Sequence, residues 1–273
     1  MNKSIKRKEY FINSPLIKGD KGGCKTEDER QSKKQPPPPP LLRGNFSGNA
    51  HLFLLLGCLL FMFSLLTGCE SIPFQRTTNE PYSSVDPASV KERFHDSMPQ
   101  HMRLLNTIVF EYNWKTFSGI GFVDVDIPKR ACSLACINQM GMKLFEISID
   151  KENINTIFAL PEFTSKGDFA KMVGEDIRRI YFDLVPSDNA EIIKEKHAVV
   201  FKQQVGEGIA EYIFSGPEHY LTEKTYYEDG NPLWRVSFYE YRTKNSRIYP
   251  GGTILQNYKY GYRLIIRLKE ISD

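Results

Sequence analysis

Asp124 and Asp126 stand two residues apart in Phe117–Asp126, where Ile120, Phe122, Asp124 and Asp126 alternate with Gly119, Gly121, Val123 and Val125. On a strand that spacing puts both carboxylates on one face, as paired acid–base chemistry would need. A solvated strand face explains the pair as well, and that is our reading. Cys132 and Cys136 would close a small disulfide in an oxidising compartment. Four residues of straight strand span about 13 Å, against a limit of roughly 7 Å for a bridge. Two thiols are therefore expected, unless a bulge or turn falls between them. His95, His101, His197 and His219 show no metal-ligand spacing, and zinc at the cysteines would need two further ligands. Gly206-x-Gly208 reads as a hairpin turn, and Gly-x-Ser-x-Gly, phosphate-loop and dinucleotide fingerprints are missing. The expectation is a protein with no catalytic residue, no metal and no cofactor.

One thiol does carry chemistry. Leu52–Leu66 is fifteen residues without a charge, too short for the roughly 20 a spanning helix needs and right for a signal-peptide apolar region of about 7–15. It ends in Leu66-Thr67-Gly68-Cys69, the pattern of a bacterial lipobox; the alternative is a short hydrophobic anchor that happens to end in Gly-Cys. Small residues before the thiol let a membrane peptidase reach the backbone, and stable anchoring takes more than one acyl chain, which a triacylated Cys69 supplies. In lipoproteins generally, Asp after the cysteine marks inner-membrane retention. Glu70 stands there instead, which favours the outer membrane, periplasmic face.

Charge divides at the same place. Residues 1–68 hold 11 Lys/Arg and 5 acids, whereas the rest holds 25 and 28. The pI near 8.4 thus belongs to the leader, and a nucleic-acid partner is excluded on this ground. Residues 1–50, with Pro36–Pro40 as a polyproline spacer, are long for a leader. They read as an over-extended start, with initiation near Leu41 or Leu42; the alternative is a cytoplasmic tail. Residues 51–68 are the signal region, 69–86 a polar tether, and 87–273 one domain, long enough to bury a single core.

Within that domain Asp86-Pro87 signals an N-cap and a first helical turn, predicting a short helix through about Ser97 with Val90 and Phe94 on one face. From Leu104 onward the period is two. Further strand patterns are Lys143–Ile149, Ile154–Leu160, His197–Val205, Ile209–Phe214, Leu221–Tyr227, Trp234–Tyr241 and Tyr262–Ile271. In the last, Leu264, Ile266 and Leu268 face opposite Arg263, Arg267 and Lys269, so the sheet has one wet face and is antiparallel. One stretch departs. Ser165-Lys166-Gly167-Asp168 resembles a capping box, and Phe169, Met172, Val173, Ile177, Ile180, Tyr181 and Leu184 follow at helical spacing until Pro186. The fold class is α+β, mainly β: a curled antiparallel sheet with helices on it.

Three patches carry a resemblance. They are Asn138-Gln139-Met140-Gly141 before Leu144-Phe145-Glu146-Ile147; the helix Phe169–Leu184 ending in Val185-Pro186; and the run Leu221–Tyr226, Asp229-Gly230, Trp234-Arg235-Val236, Tyr239-Glu240-Tyr241, Tyr249-Pro250 and the final strand. In order and approximate spacing, over nearly all of residues 87–271, they resemble the LolB family of outer-membrane lipoprotein receptors and its LolA carrier relatives. The resemblance implies an open half-barrel of ten to eleven strands, helices covering its concave face, and an apolar cavity for acyl chains. It implies a protruding apolar loop residue, for which Met140 stands where that family has leucine, with Gln139 in place of proline. The lid would be Phe169, Met172, Val173, Ile177 and Ile180.

Two functions follow. The first is a monomeric lipid-anchored receptor that accepts acyl chains of lipoproteins or lipids, from a periplasmic LolA-like carrier, and delivers them to the outer membrane. The second is a structural or assembly lipoprotein holding a protein partner. An accessible apolar cavity under the Phe169–Leu184 helix would favour the first, and an interior filled by side chains the second. Met140 has likewise two readings: projecting from a turn, or folded back as core.

Overall fold

Asp86 starts the domain as the sequence suggests. Its carboxylate accepts the Ser89 N–H at 3.2 Å, and Pro87 opens helix α1, Pro87–Ser97, which buries Val90 and Phe94. The protein is described here by a computed structural model, covering residues 72–78, 81, 85–165 and 168–272. Its contacts divide the chain into Met1–Gly68 and Cys69–Asp273. Every described helix and strand, and the whole apolar core, falls in the second unit. The leader, the lipobox, Cys69, Lys166 and Gly167 lie outside the described residues.

Five strands follow α1: β1 (His101–Tyr112), β2 (Lys115–Asp126), β3 (Ala131–Ile137), β4 (Lys143–Ile149) and β5 (Ile154–Ala159). Next come a one-turn helix α2 (Pro161–Thr164) and the amphipathic α3 (Phe169–Tyr181). The second half is β6 (Glu191–Lys194), β7 (Ala198–Val205), β8 (Gly208–Ser215), β9 (Tyr220–Glu228), β10 (Asn231–Tyr239), β11 (Arg242–Lys244), β12 (Arg247–Tyr249), β13 (Gly252–Asn257) and β14 (Tyr262–Ser272). Twelve strands form one sheet in the order β5-β4-β3-β2-β1-β14-β13-β10-β9-β8-β7-β6, and β11–β12 pair apart. That is more strands than the ten to eleven expected. Neighbours are antiparallel throughout, and β5 and β6 remain as edges, so the sheet curls without closing. The last strand lies beside the first, with Tyr112 opposite Tyr262 and Ile108 opposite Ile266.

Alternation builds the inner face. Gly119, Gly121, Val123 and Val125 are the buried set on β2, as are Cys132, Leu134 and Cys136 on β3. α1 and α3 cover this face, and Phe94 meets Phe214 edge-on at 5.3 Å. A filled core of branched and aromatic side chains holds the layers together by apolar burial, at about 25 cal/mol per Å².

Three expectations are corrected. α3 begins at Phe169 on an Asp168 cap, whose carboxylate accepts the Lys171 N–H at 3.1 Å, while Ser165 closes α2. α3 ends at Tyr181, five residues before Pro186, because the chain turns at Asp183 with φ +53°. Leu184 is buried but not helical. The segment read as tether is in part docked: Phe74 is buried, stacks on Tyr239 at 5.3 Å and lies under the Arg267 guanidinium at 4.5 Å. It occupies the space above Gly252, where a Cβ would meet its ring at 2.3 Å.

Candidate functional site

α3 turns its inner face to the sheet at β4, β5 and β13. Ile177, Ile180 and Tyr181 are buried; Phe169, Met172 and Val173 are half-buried and pack against the same core. Phe169 sits 5.0 Å from both Phe145 and Phe163, which fixes the start of the helix on β4 and α2. Gly174 lies against Ile154, and a Cβ there would come within 2.6–2.8 Å of three atoms of that side chain. All five residues expected to form a lid therefore lie on one helix over the concave face.

The apolar stripe of α3 contains a charge. Asp176 is 4% exposed and accepts the hydroxyl of Tyr262 from β14, while Arg179 donates to it at 2.7 Å. Asn257 donates to the same Tyr262 hydroxyl at 2.9 Å. Burial pushes the Asp176 carboxyl up to about 6, opposed by Tyr262 and Arg179. A second buried charge follows α3: Lys224 of β9 donates to the Phe182 carbonyl at 3.1 Å. Its ammonium lies 5.6 Å from the ring centres of Tyr212 and Trp234. Burial lowers it to about 8, against the pull of Asp183. Arg178 adds a bond to the Asp150 carbonyl at 2.8 Å. Helix and sheet are thus joined by apolar packing and by a ring of polar latches. A charge at position 176, between Val173 and Ile180 on a helix, is legible in the sequence only as a break in the apolar stripe.

An enclosed space lies between Ile180, Tyr181, Leu184, Leu104, Asn106 and Ile266, and its volume is about 20 Å³, enough for about one water molecule. Among the described residues, side chains thus narrow the space directly under α3 to about the size of one water.

Met140 lies at the tip of the β3–β4 hairpin and is 86% exposed, with Met142 beside it at 51%. Asn138 holds the turn by accepting the Met140 and Met142 N–H groups at 3.0 and 2.9 Å, and Gly141 takes φ +81°. The side chain projects, and the reading as core is overturned by its exposure.

Elsewhere the candidate chemistry disperses. Asp124 pairs with Arg103 at 3.0 Å and stands 3.1 Å from His101, and Asp126 pairs with Lys129 at 2.8 Å. Cys132 and Cys136 are free and buried, their thiols pushed by burial to about 12 and about 11. Both point inward, with the buried Leu134 between them on a stretch of β3 in unbroken register with β2.

No protein-family model matches the chain, and no curated protein matches it. Solved structures do. A LolA superfamily protein from Nitrosomonas europaea aligns at 8% identity and TM-score 0.47, over 69% of this chain and 94% of that one. An outer-membrane lipoprotein-sorting protein domain from Vibrio parahaemolyticus aligns at 8% and 0.43, over 67% and 90%. A DUF1329 family protein from Desulfovibrio piger gives the same identity, score and coverage.

Proposed function

We propose that this chain is a lipid-anchored envelope protein that binds acyl chains of lipoproteins or lipids on its concave face and passes them to the outer membrane. The observation that carries the reading is α3 itself: one amphipathic helix covers the apolar concave face and is fastened there through Asp176, Lys224 and Arg178. A permanent core helix gains nothing from burying a carboxylate and an ammonium, which burial disfavours. A lid that opens can rehydrate both. Acyl burial is non-directional and needs no catalyst, so handover from a periplasmic carrier of the LolA kind requires only a more favourable apolar surface. Cys69 would hold the protein in the membrane with Glu70 next to it, and Met140 would enter the acyl region of a bilayer or touch cargo.

The narrow space under α3 favours the second reading, a structural or assembly lipoprotein whose sheet holds a protein partner. Native mass spectrometry of the Cys69–Asp273 unit from cell envelopes, joined to hydrogen exchange, separates the two. The first reading expects bound lipid or lipoprotein and an α3 less protected than β14, slowed by an acylated peptide. Equal protection of α3 and β14, with no acyl ligand and no effect of the peptide, would leave the second.

A further inference from the structure

The hairpin joining β1 and β2 turns through Asn113 and Trp114 alone, with φ +45° and +64°. Two-residue turns of this hand favour glycine at the second place. A tryptophan in the left-handed region is an outlier that the fold must sustain. Trp114 is also fully exposed. A large apolar ring held at a strained tip, where it packs against nothing, has its use outside the domain.

Trp114 has company. In the sheet, β13–β14 lies directly beside β1, and Tyr112, Tyr262 and Asn257 share one level. The β13–β14 turn therefore ends beside the β1–β2 turn, and it presents Tyr258 at 41% and Tyr260 at 50% exposure; Tyr112 is 44% exposed. An open cleft of about 740 Å³ lies between the two tips, walled by Tyr112, Trp114, Lys115, Tyr258 and Arg263. The next hairpin on the other side is β3–β4, with Met140 and Met142. It is set back along the strands, as the stagger of a curled, tilted sheet requires. Three adjacent hairpins thus carry exposed large apolar side chains at one rim. At the opposite rim the turns 127–130, 150–153 and 216–219 carry none among the described residues.

Charge completes the pattern. Glu111 is met by Arg263 at 3.6 Å, and Lys259 lies 5.7 Å from the centre of the Tyr260 ring. With Lys115 the two tips hold three cations to one anion. Trp and Tyr with an apolar body and a polar edge, next to Lys and Arg on long stems, are the residues that settle at the headgroup level of a bilayer. We infer that the β1–β2 and β13–β14 tips form an aromatic–cationic docking surface for an anionic phospholipid bilayer. The inference goes beyond the proposed function, since it needs neither an acyl-binding interior nor the Met140 loop.

The test uses the Cys69–Asp273 unit carrying Cys69→Ala and Trp234→Phe, which leaves Trp114 as the one tryptophan of the chain's two. With vesicles of phosphatidylglycerol and phosphatidylethanolamine its emission should shift to the blue, and the shift should weaken with phosphatidylcholine alone. In flotation, Trp114→Ser on the otherwise unchanged unit should bind the anionic vesicles about tenfold more weakly, at an unchanged melting temperature. Unchanged affinity of Trp114→Ser overturns the inference. So does a blue shift that grows with protein concentration without lipid, which would mark contact between copies. Vesicle binding lost in Met140→Asp but kept in Trp114→Ser overturns it while leaving the proposed function standing. An unliganded interior with a Trp114 response does the reverse.

Discussion

Tyr262 of β14 donates its hydroxyl to the buried Asp176 carboxylate of α3, and Asn257 of β13 donates to that hydroxyl from the other side. The contact ties the covering helix to the middle of the sheet through a group that titrates. Its charged form is disfavoured by burial, with the Tyr262 hydroxyl and then Arg179 in partial compensation and Glu175 adding to the penalty.

Asp176 therefore gives the first prediction. Its carboxyl ionises near pH 6 in the folded protein and near 3.8 when unfolded, so between those values the folded state binds more protons. Stability from this group is greatest below about pH 4 and declines as pH rises towards 6, by of order 2–3 kcal/mol. Asp176→Asn keeps an acceptor for Tyr262 and removes the titration. Taken as wild type minus variant, melting temperature from pH 4 to pH 8 should fall through that window and then level. A flat difference would place the carboxylate in a hydrated site.

Gly174 faces Ile154 closely enough that an added Cβ collides with three of its atoms. Alanine raises helix propensity by about 1 kcal/mol, but overpacking costs about 1–3 kcal/mol. Gly174→Ala should lower the melting temperature or loosen α3, seen as faster amide exchange in Phe169–Tyr181 with β14 unchanged. A stabilised protein with slower exchange in α3 would show that Ile154 yields freely.

Cys132 and Cys136 point inward on β3 and are protonated well above neutral pH by burial. A thiol reagent acts on the thiolate, so at pH 8 both should react slowly, at the rate of global or sub-global opening. Denaturant should bring them to the rate of free cysteine. Fast labelling of the native Cys69–Asp273 unit with Cys69→Ala would contradict the packing of β3.

Local signals made the first helix and the last strand legible. Asp86-Pro87 is a cap whose partner, Ser89, is three residues away. In β14, alternation reaches from Leu264 to Lys269 because one face is wet. β13 escaped reading for the opposite reason: Gly252–Leu255 is buried on both faces, so nothing alternates, and Pro250-Gly251-Gly252 looks like a turn. Phe74 lies in a mostly polar stretch with no strand or helix period to mark it, and the bare backbone of Gly252 makes room for its ring. The end of α3 depends on Asp183 adopting φ +53°, with its carboxylate paired to Arg130 at 2.6 and 2.8 Å across 53 residues. Of the candidate site, the stripe of α3 and the Met140 turn were readable because both are local. The latches to Tyr262 and Lys224 span 86 and 42 residues, and the Trp114 rim emerges only when β14 lies beside β1.

Met140 gives the last prediction, because its exposure separates two outcomes that a buried methionine would merge. The Asn138 side-chain oxygen and two backbone bonds, Asn138 to Met142 and Gly141 to Asn138, hold the turn without the Met140 side chain. Met140→Asp should leave the melting temperature nearly unchanged, within the roughly 0.5 kcal/mol typical of surface positions. A carboxylate at that tip resists entry into hydrocarbon, by about 2.5–3.5 kcal/mol at a bilayer centre and less near its surface. If the tip enters the acyl region, vesicle binding and lipoprotein delivery should both weaken while Met140→Leu preserves them. Full delivery by a folded Met140→Asp protein would remove the insertion role. A large loss of melting temperature would instead mean that the turn depends on this side chain, against the 86% exposure that the fold gives it.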